Sequence, residues 1–157
     1  MGRLVSGTLA GLGATAPMTL AMVAMHRRLP PEQRYPLPPR QITMNAAAKV
    51  GAREHLDEPE RTALTLLAHF AYGAFVGGLF GLVAPRKPSA AIPAGVGYGL
   101  LVWAGSYLGL LPALGLLPPA TRHPPQRNAL MIAAHVVWGA AAGALAPLLR
   151  GAMHDDE

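Results

Sequence analysis

Four long stretches of the chain contain no Asp, Glu, Lys or Arg: Leu4–Met25, Thr62–Ala84, Pro88–Thr121 and Asn128–Leu149. A helix needs about 20 apolar residues to cross the hydrocarbon core of a bilayer, and each stretch supplies them. In the third, a spanning helix fits best over 92–116. The pattern therefore predicts helices over about 4–25, 62–84, 92–116 and 128–149, an all-α integral membrane four-helix bundle in a single transmembrane domain over 1–157. Pro85 and Pro88 flank Arg86-Lys87 in the short turn between the second and third helices, and proline-rich segments at 29–40 and 117–128 form the other two connections. The first apolar run has the look of a signal peptide. Its length, the Arg27-Arg28 pair directly after it and the three later runs argue for a retained first span instead.

The second and fourth stretches resemble each other. RTALTLLAHFAYGAFVGGL at 61–79 and RNALMIAAHVVWGAAAGAL at 127–145 superpose with a shift of 66 positions. The coincident residues are Arg61/Arg127, Ala63/Ala129, Leu64/Leu130, Ala68/Ala134, His69/His135, Gly73/Gly139, Ala74/Ala140, Gly77/Gly143 and Leu79/Leu145, and Tyr72 falls opposite Trp138. A fainter Ala-Gly-x-Gly is shared by 10–13 and 94–97. One crossing lies between the two copies, so they run in the same direction. The expectation is a 2+2 parallel internal repeat, halves about 1–85 and 88–150, related by a pseudo-two-fold along the membrane normal.

Small residues set the expected packing. Gly7 and Gly11 in the first helix, Gly95 and Gly99 as well as Gly105 and Gly109 in the third, and the pairs Gly73/Gly77 and Gly139/Gly143 are spaced four apart, the pattern of close helix approach in membranes. Pro17 cannot donate to the Gly13 carbonyl, so a kink is expected there, with Thr15 or Thr19 satisfying the freed group. In the first connection, 41–50 is expected either as a short interfacial helix with Ile42, Ala46 and Val50 on one side, or as a solvated loop.

Composition agrees with a lipid setting: charged residues make up 13% of the chain and hydrophobic ones 52%, with a mean hydropathy of +0.30. Soluble domains carry charge on about a quarter of their residues. There is no cysteine, which removes disulfide and thiolate chemistry. The formal charge of +5 is read as orientation and contact with anionic membrane lipids, and no nucleic-acid partner is expected. Nine of the 13 Lys and Arg residues fall on the side of the two proline-rich connections, seven of them between Arg27 and Arg61. The positive-inside bias then puts those connections in the cytoplasm and both termini outside.

His69 and His135 are the candidate chemistry. Each sits on its helix's glycine face at the same depth below Arg61 or Arg127, and ionisable groups inside a bilayer usually face the protein interior. Three readings stay open: packing, with each imidazole bonded to a neighbouring helix through Tyr98, Tyr107, Ser106 or Thr15; a titrating gate on a proton or solute path; or ligation of a metal or a haem, for which the glycine faces leave little room. Gly73, Gly77, Gly139 and Gly143 are expected as helix-packing residues, Arg61 and Arg127 as interface anchors, and Tyr72 and Trp138 as packing aromatics. No hydrolase elbow, phosphate loop, metalloprotease helix or dinucleotide fingerprint is present, and the spans hold no carboxylate. No catalytic residue, metal or cofactor is expected.

The string ATRHPPQRNALMIAAHVVWGAAAG at 120–143, with SGTLAGLGATAPMTLAM at 6–22 and LPPRQIT at 37–43, resembles the YagU-like family of small uncharacterised bacterial inner-membrane proteins. The resemblance implies a multi-pass protein of the bacterial inner (plasma) membrane and brings no catalytic residues. The expected function is that of a non-enzymatic structural or assembly component, with a homo-oligomer or a membrane-protein partner. The alternative is a small proton or solute channel or carrier gated by the His69/His135 pair.

Overall fold

The computed structural model describes residues 2–153 and has no strand among them. Five helices organise it: α1 (Gly2–His26), α2 (Pro38–Lys49), α3 (Glu58–Val83), α4 (Pro88–Ala113) and α5 (Pro125–Ala152). All except α2 are long and apolar enough to cross a membrane. Each of α2, α3, α4 and α5 opens with proline in its first turn, where the missing N–H goes unused and the fixed φ suits a helix. This moves three of the starts earlier than the apolar runs suggest: α3 begins at Glu58, α4 at Pro88 and α5 at Pro125. At α3 the start is a capping box. Asp57 accepts from the Glu60 N–H, and the Glu60 carboxylate accepts from the Asp57 N–H, both at 2.8 Å.

The packing order across the bundle is α3–α1–α5–α4. α1 packs extensively on both α3 and α5, and α4 on α5, whereas α3 and α4 barely touch. Glycine makes two of these seams. A Cβ on Gly7 would stand 2.5 Å from Gly81 Cα, and one on Gly11 2.6 Å from Gly77 Cα; Gly11 also lies against the Gly73 carbonyl. On the other side Gly95 meets Gly139 and Gly143, and Gly99 meets Gly139 and the His135 carbonyl. At such contacts backbone meets backbone, and no other residue fits. The α1–α5 seam uses alanine instead: Ala10, Ala14, Ala142 and Ala146 are fully buried, and the Trp138 indole donates to the Gly11 carbonyl at 3.2 Å.

Several expectations are corrected. Gly105 and Gly109 have nothing near a would-be Cβ, so they form no packing face; they fall instead in a π-helical turn, Gly105–Leu110. α1 runs unbroken through Pro17, and Thr15 and Thr19 donate to the Gly11 and Thr15 carbonyls at 2.8 and 2.7 Å, not to Gly13. The short helix α2 does form, yet it buries Thr43, Met44 and Ala47, while Val50 is exposed. The helix lies against α3, and the Asn45 amide donates to the Leu116 carbonyl at 2.9 Å, so α2 bridges from α3 to the end of α4.

Candidate functional site

The gap between α3 and α4 is a cavity of about 280 Å³. Its walls come from all four spanning helices, and Pro39, Ile42 and Thr43 of α2 roof it on the side of the long connection. Both His69 and His135 line it, together with Tyr72, Ser106, Tyr107 and Trp138. No Asp, Glu, Lys or Arg is among its lining residues.

The two imidazoles sit differently. His135 is 6% exposed, and its Nδ1 lies 2.7 Å from the Met131 carbonyl one turn back on α5. A carbonyl only accepts, so Nδ1 carries the proton and the neutral ring keeps Nε2 bare. The Tyr107 ring meets this imidazole edge-on at 5.9 Å between centroids. His69 Nε2 is buried and has no hydrogen-bond partner among the described residues. A second cavity of about 450 Å³, lined by Thr19, His26, Arg40 and Thr65 among others, reaches His69 from the side of the long connection. His69 and Pro39 line both cavities and so stand between them.

Of the four groups expected to bond the histidines, Tyr107 meets His135 only ring to ring, and the other three are engaged elsewhere. The Tyr72 and Ser106 hydroxyls share a hydrogen bond of 2.9 Å across the gap. The Tyr98 hydroxyl donates to the Val76 carbonyl at 3.0 Å, and Thr15 bonds within its own helix. Tyr72 and Trp138, opposite one another in the sequence match, have unlike settings: Trp138 is buried, and Tyr72 is 41% exposed. The π turn, with one extra residue in its hydrogen-bonded ring, carries Ser106 and Tyr107 into the cavity wall, a frequent use of such turns. In the sequence, the only hint of it is a Ser-Tyr pair between Gly105 and Gly109.

Gly73 belongs to the cavity wall as well as to the α1 seam, whereas Gly77, Gly139 and Gly143 are contacts between helices. Arg61 is partly exposed, pairing with Glu58 at 3.0 Å and donating to the Arg53 carbonyl. Glu58 also pairs with Arg40 of α2 at 2.6 Å, which ties the roof to α3. Arg127 turns inward. It is 4% exposed, donates to the carbonyls of Gln33, Tyr35 and Pro36 at 2.7–3.0 Å, and lies 3.6 Å over the Tyr35 ring. It thus fastens the proline-rich connection to α5, a role no local pattern announces. At the opposite face Arg3 and Arg150 both donate to the Ala84 carbonyl, and Arg150 also to Gly81, capping the C-terminal end of α3. No group of three or more His, Cys, Asp or Glu suited to a metal ion occurs among the described residues.

A family model described as a protein of unknown function (DUF1440) matches residues 19–144, well over half of the chain. No curated protein and no solved structure matches it.

Proposed function

The chain belongs to the DUF1440 family of proteins of unknown function, and within that family we propose that it is a small, non-enzymatic carrier or channel whose working chamber is the cavity between α3 and α4. The observation that carries this reading is that His69 and His135, from two different helices, line one cavity while His69 also faces the second cavity toward the long connection. A buried imidazole nitrogen with no partner among the described residues keeps its hydrogen-bonding capacity for whatever enters the cavity. It suits a group that exchanges a proton or holds a passing solute.

The resemblance to the YagU-like family supports a place in the bacterial inner membrane. The Lys and Arg bias supports long connections facing the cytoplasm, and a C-terminal reporter active only outside the cytoplasm is the expected fusion result. The 2+2 repeat is supported by the glycine seams. Gly11 against Gly73 and Gly77 parallels Gly95 against Gly139 and Gly143, with α1 and α4 matched at a shift of 84 positions and α3 and α5 at 66.

The functional test is proton flux. Liposomes with a trapped pH dye and reconstituted protein should equilibrate a pH step faster than protein-free liposomes, and His69→Ala should abolish the difference. Equal traces with and without the parent protein would remove the transport reading.

A further inference from the structure

The cavity has a side opening. Ala68 and Tyr72 of α3 and Leu110 of α4 both line it and face outward, Tyr72 at 41% and Leu110 at 51% exposure. Ala68 lies ten residues inside α3, about 15 Å along the axis at 1.5 Å per residue. At that depth the surroundings of a spanning helix are hydrocarbon, not water. The opening is spanned by the Tyr72–Ser106 hydrogen bond, a single contact between neutral hydroxyls. Toward the long connection Pro39, Ile42 and Thr43 of α2 roof the chamber, and His69 and Pro39 stand between it and the second cavity.

The chemistry of the walls restricts what fits. They carry no formal charge to balance an ion. They do carry hydrogen-bonding atoms, notably the unpartnered His69 Nε2 and the bare His135 Nε2, beside the rings of Tyr107 and Trp138. Flat walls of this kind favour a ring. The volume lies just under the range of about 300–1,000 Å³ for drug-sized pockets, enough for one ring and its substituents.

We infer that this chamber is filled sideways from the lipid, through the opening between α3 and α4, and that it takes the neutral, oxygen-bearing ring head of a membrane-dissolved molecule of the quinone or phenol type. The ring sits between Tyr107 and Trp138 with its oxygen on the histidines, and an alkyl tail stays in the bilayer. The Tyr72–Ser106 pair is the latch that parts to admit it. This inference rests on the cavity being a working chamber, and it adds the side of access and the class of ligand.

Quenching of Trp138 tests it. The chain has two tryptophans, so Trp103→Phe leaves the one in the chamber wall. In phosphatidylcholine vesicles, decyl-benzoquinone added to the membrane should quench Trp138 saturably, while acrylamide in the water should not reach it. His69→Ala should weaken the apparent affinity about fivefold, the worth of one hydrogen bond. No cysteine competes, so Tyr72→Cys/Ser106→Cys can be bridged across the opening with a short bis-maleimide, and the bridge should slow quenching relative to the unbridged pair. The unsubstituted chain should show the same saturation over the Trp103 background, which guards against misfolding of the variant. Quenching that rises in proportion to quinone without saturating would overturn the inference. Quenching by acrylamide in place of quinone would show a real chamber filled from water, overturning lipid access alone. Trp138 untouched by either quencher would remove the inference and the chamber together.

Discussion

Arg127 is the residue whose loss should be felt most. Its guanidinium satisfies three backbone carbonyls and covers a tyrosine ring. Charge-assisted hydrogen bonds contribute about 1.5–3 kcal/mol each before the losses of ordering, and a desolvated cation–π contact about 2. Arg127→Ala should therefore destabilise the fold by roughly 3 kcal/mol or more. Hydrogen exchange should rise first at residues 33–35, and the same mutation at Arg61, whose partners are exposed, should cost under about 1 kcal/mol. An equal effect at both positions would mean that the sequence match between these arginines outweighs their different surroundings. His135 offers a second residue-level check. Histidine-labelled protein in bilayers should give a nitrogen NMR signal for the neutral form protonated at Nδ1; a ring protonated at Nε2 would contradict the bond to the Met131 carbonyl.

At the scale of the helices, glycine position decides everything and glycine number very little. Gly77 touches the backbone of Gly7 and Gly11, while Gly109 faces open space. Gly77→Val should force α1 and α3 apart and destabilise by about 1–3 kcal/mol or more. Gly109→Ala should change stability by no more than about 0.5 kcal/mol. Thermal unfolding in one detergent compares them directly, and similar shifts would contradict the packing order. The same contrast shows what was legible in the sequence. Four charge-free runs gave four spanning helices, because a bilayer leaves an apolar segment of that length few alternatives. Asp57-x-x-Glu60 and the first-turn prolines marked helix starts that a reading by charge alone placed late. Spacing could not separate Gly95 and Gly99, which meet α5, from Gly105 and Gly109, which meet nothing, since both pairs repeat every four residues. Likewise His69 and His135 stood out as polar groups at equal depth. The α2 roof, the π turn and the Arg127–Tyr35 clasp depend on contacts between residues far apart in the chain, and no local pattern encodes them.

For the whole molecule, the central physical question is why one seam of the bundle stays open. Under the proposed repeat, the α1–α5 seam corresponds to the gap between α3 and α4. Ala10, Ala14, Ala142 and Ala146 on the closed side then correspond to Ala94, Tyr98, Val76 and Phe80 on the open side. Four alanines let two helices meet, whereas Tyr98 and Phe80, with ring centroids 5.3 Å apart, occupy the space between their helices. The chamber is thus a consequence of side-chain volume placed on one of two matched seams. Tyr98→Ala with Phe80→Ala should let α3 and α4 approach and should abolish saturable quenching of Trp138; unchanged quenching would assign the gap to another cause. Two histidines from separate helices face one cavity, and a cross-link tests that most directly. His69→Cys/His135→Cys in the otherwise cysteine-free chain should react with dibromobimane, which fluoresces only when both its arms are taken, to give a fluorescent product within single chains. Phe75→Cys/His135→Cys, with Phe75 facing outward at 63% exposure, should give none. Fluorescence from the second pair but not the first would contradict the shared chamber.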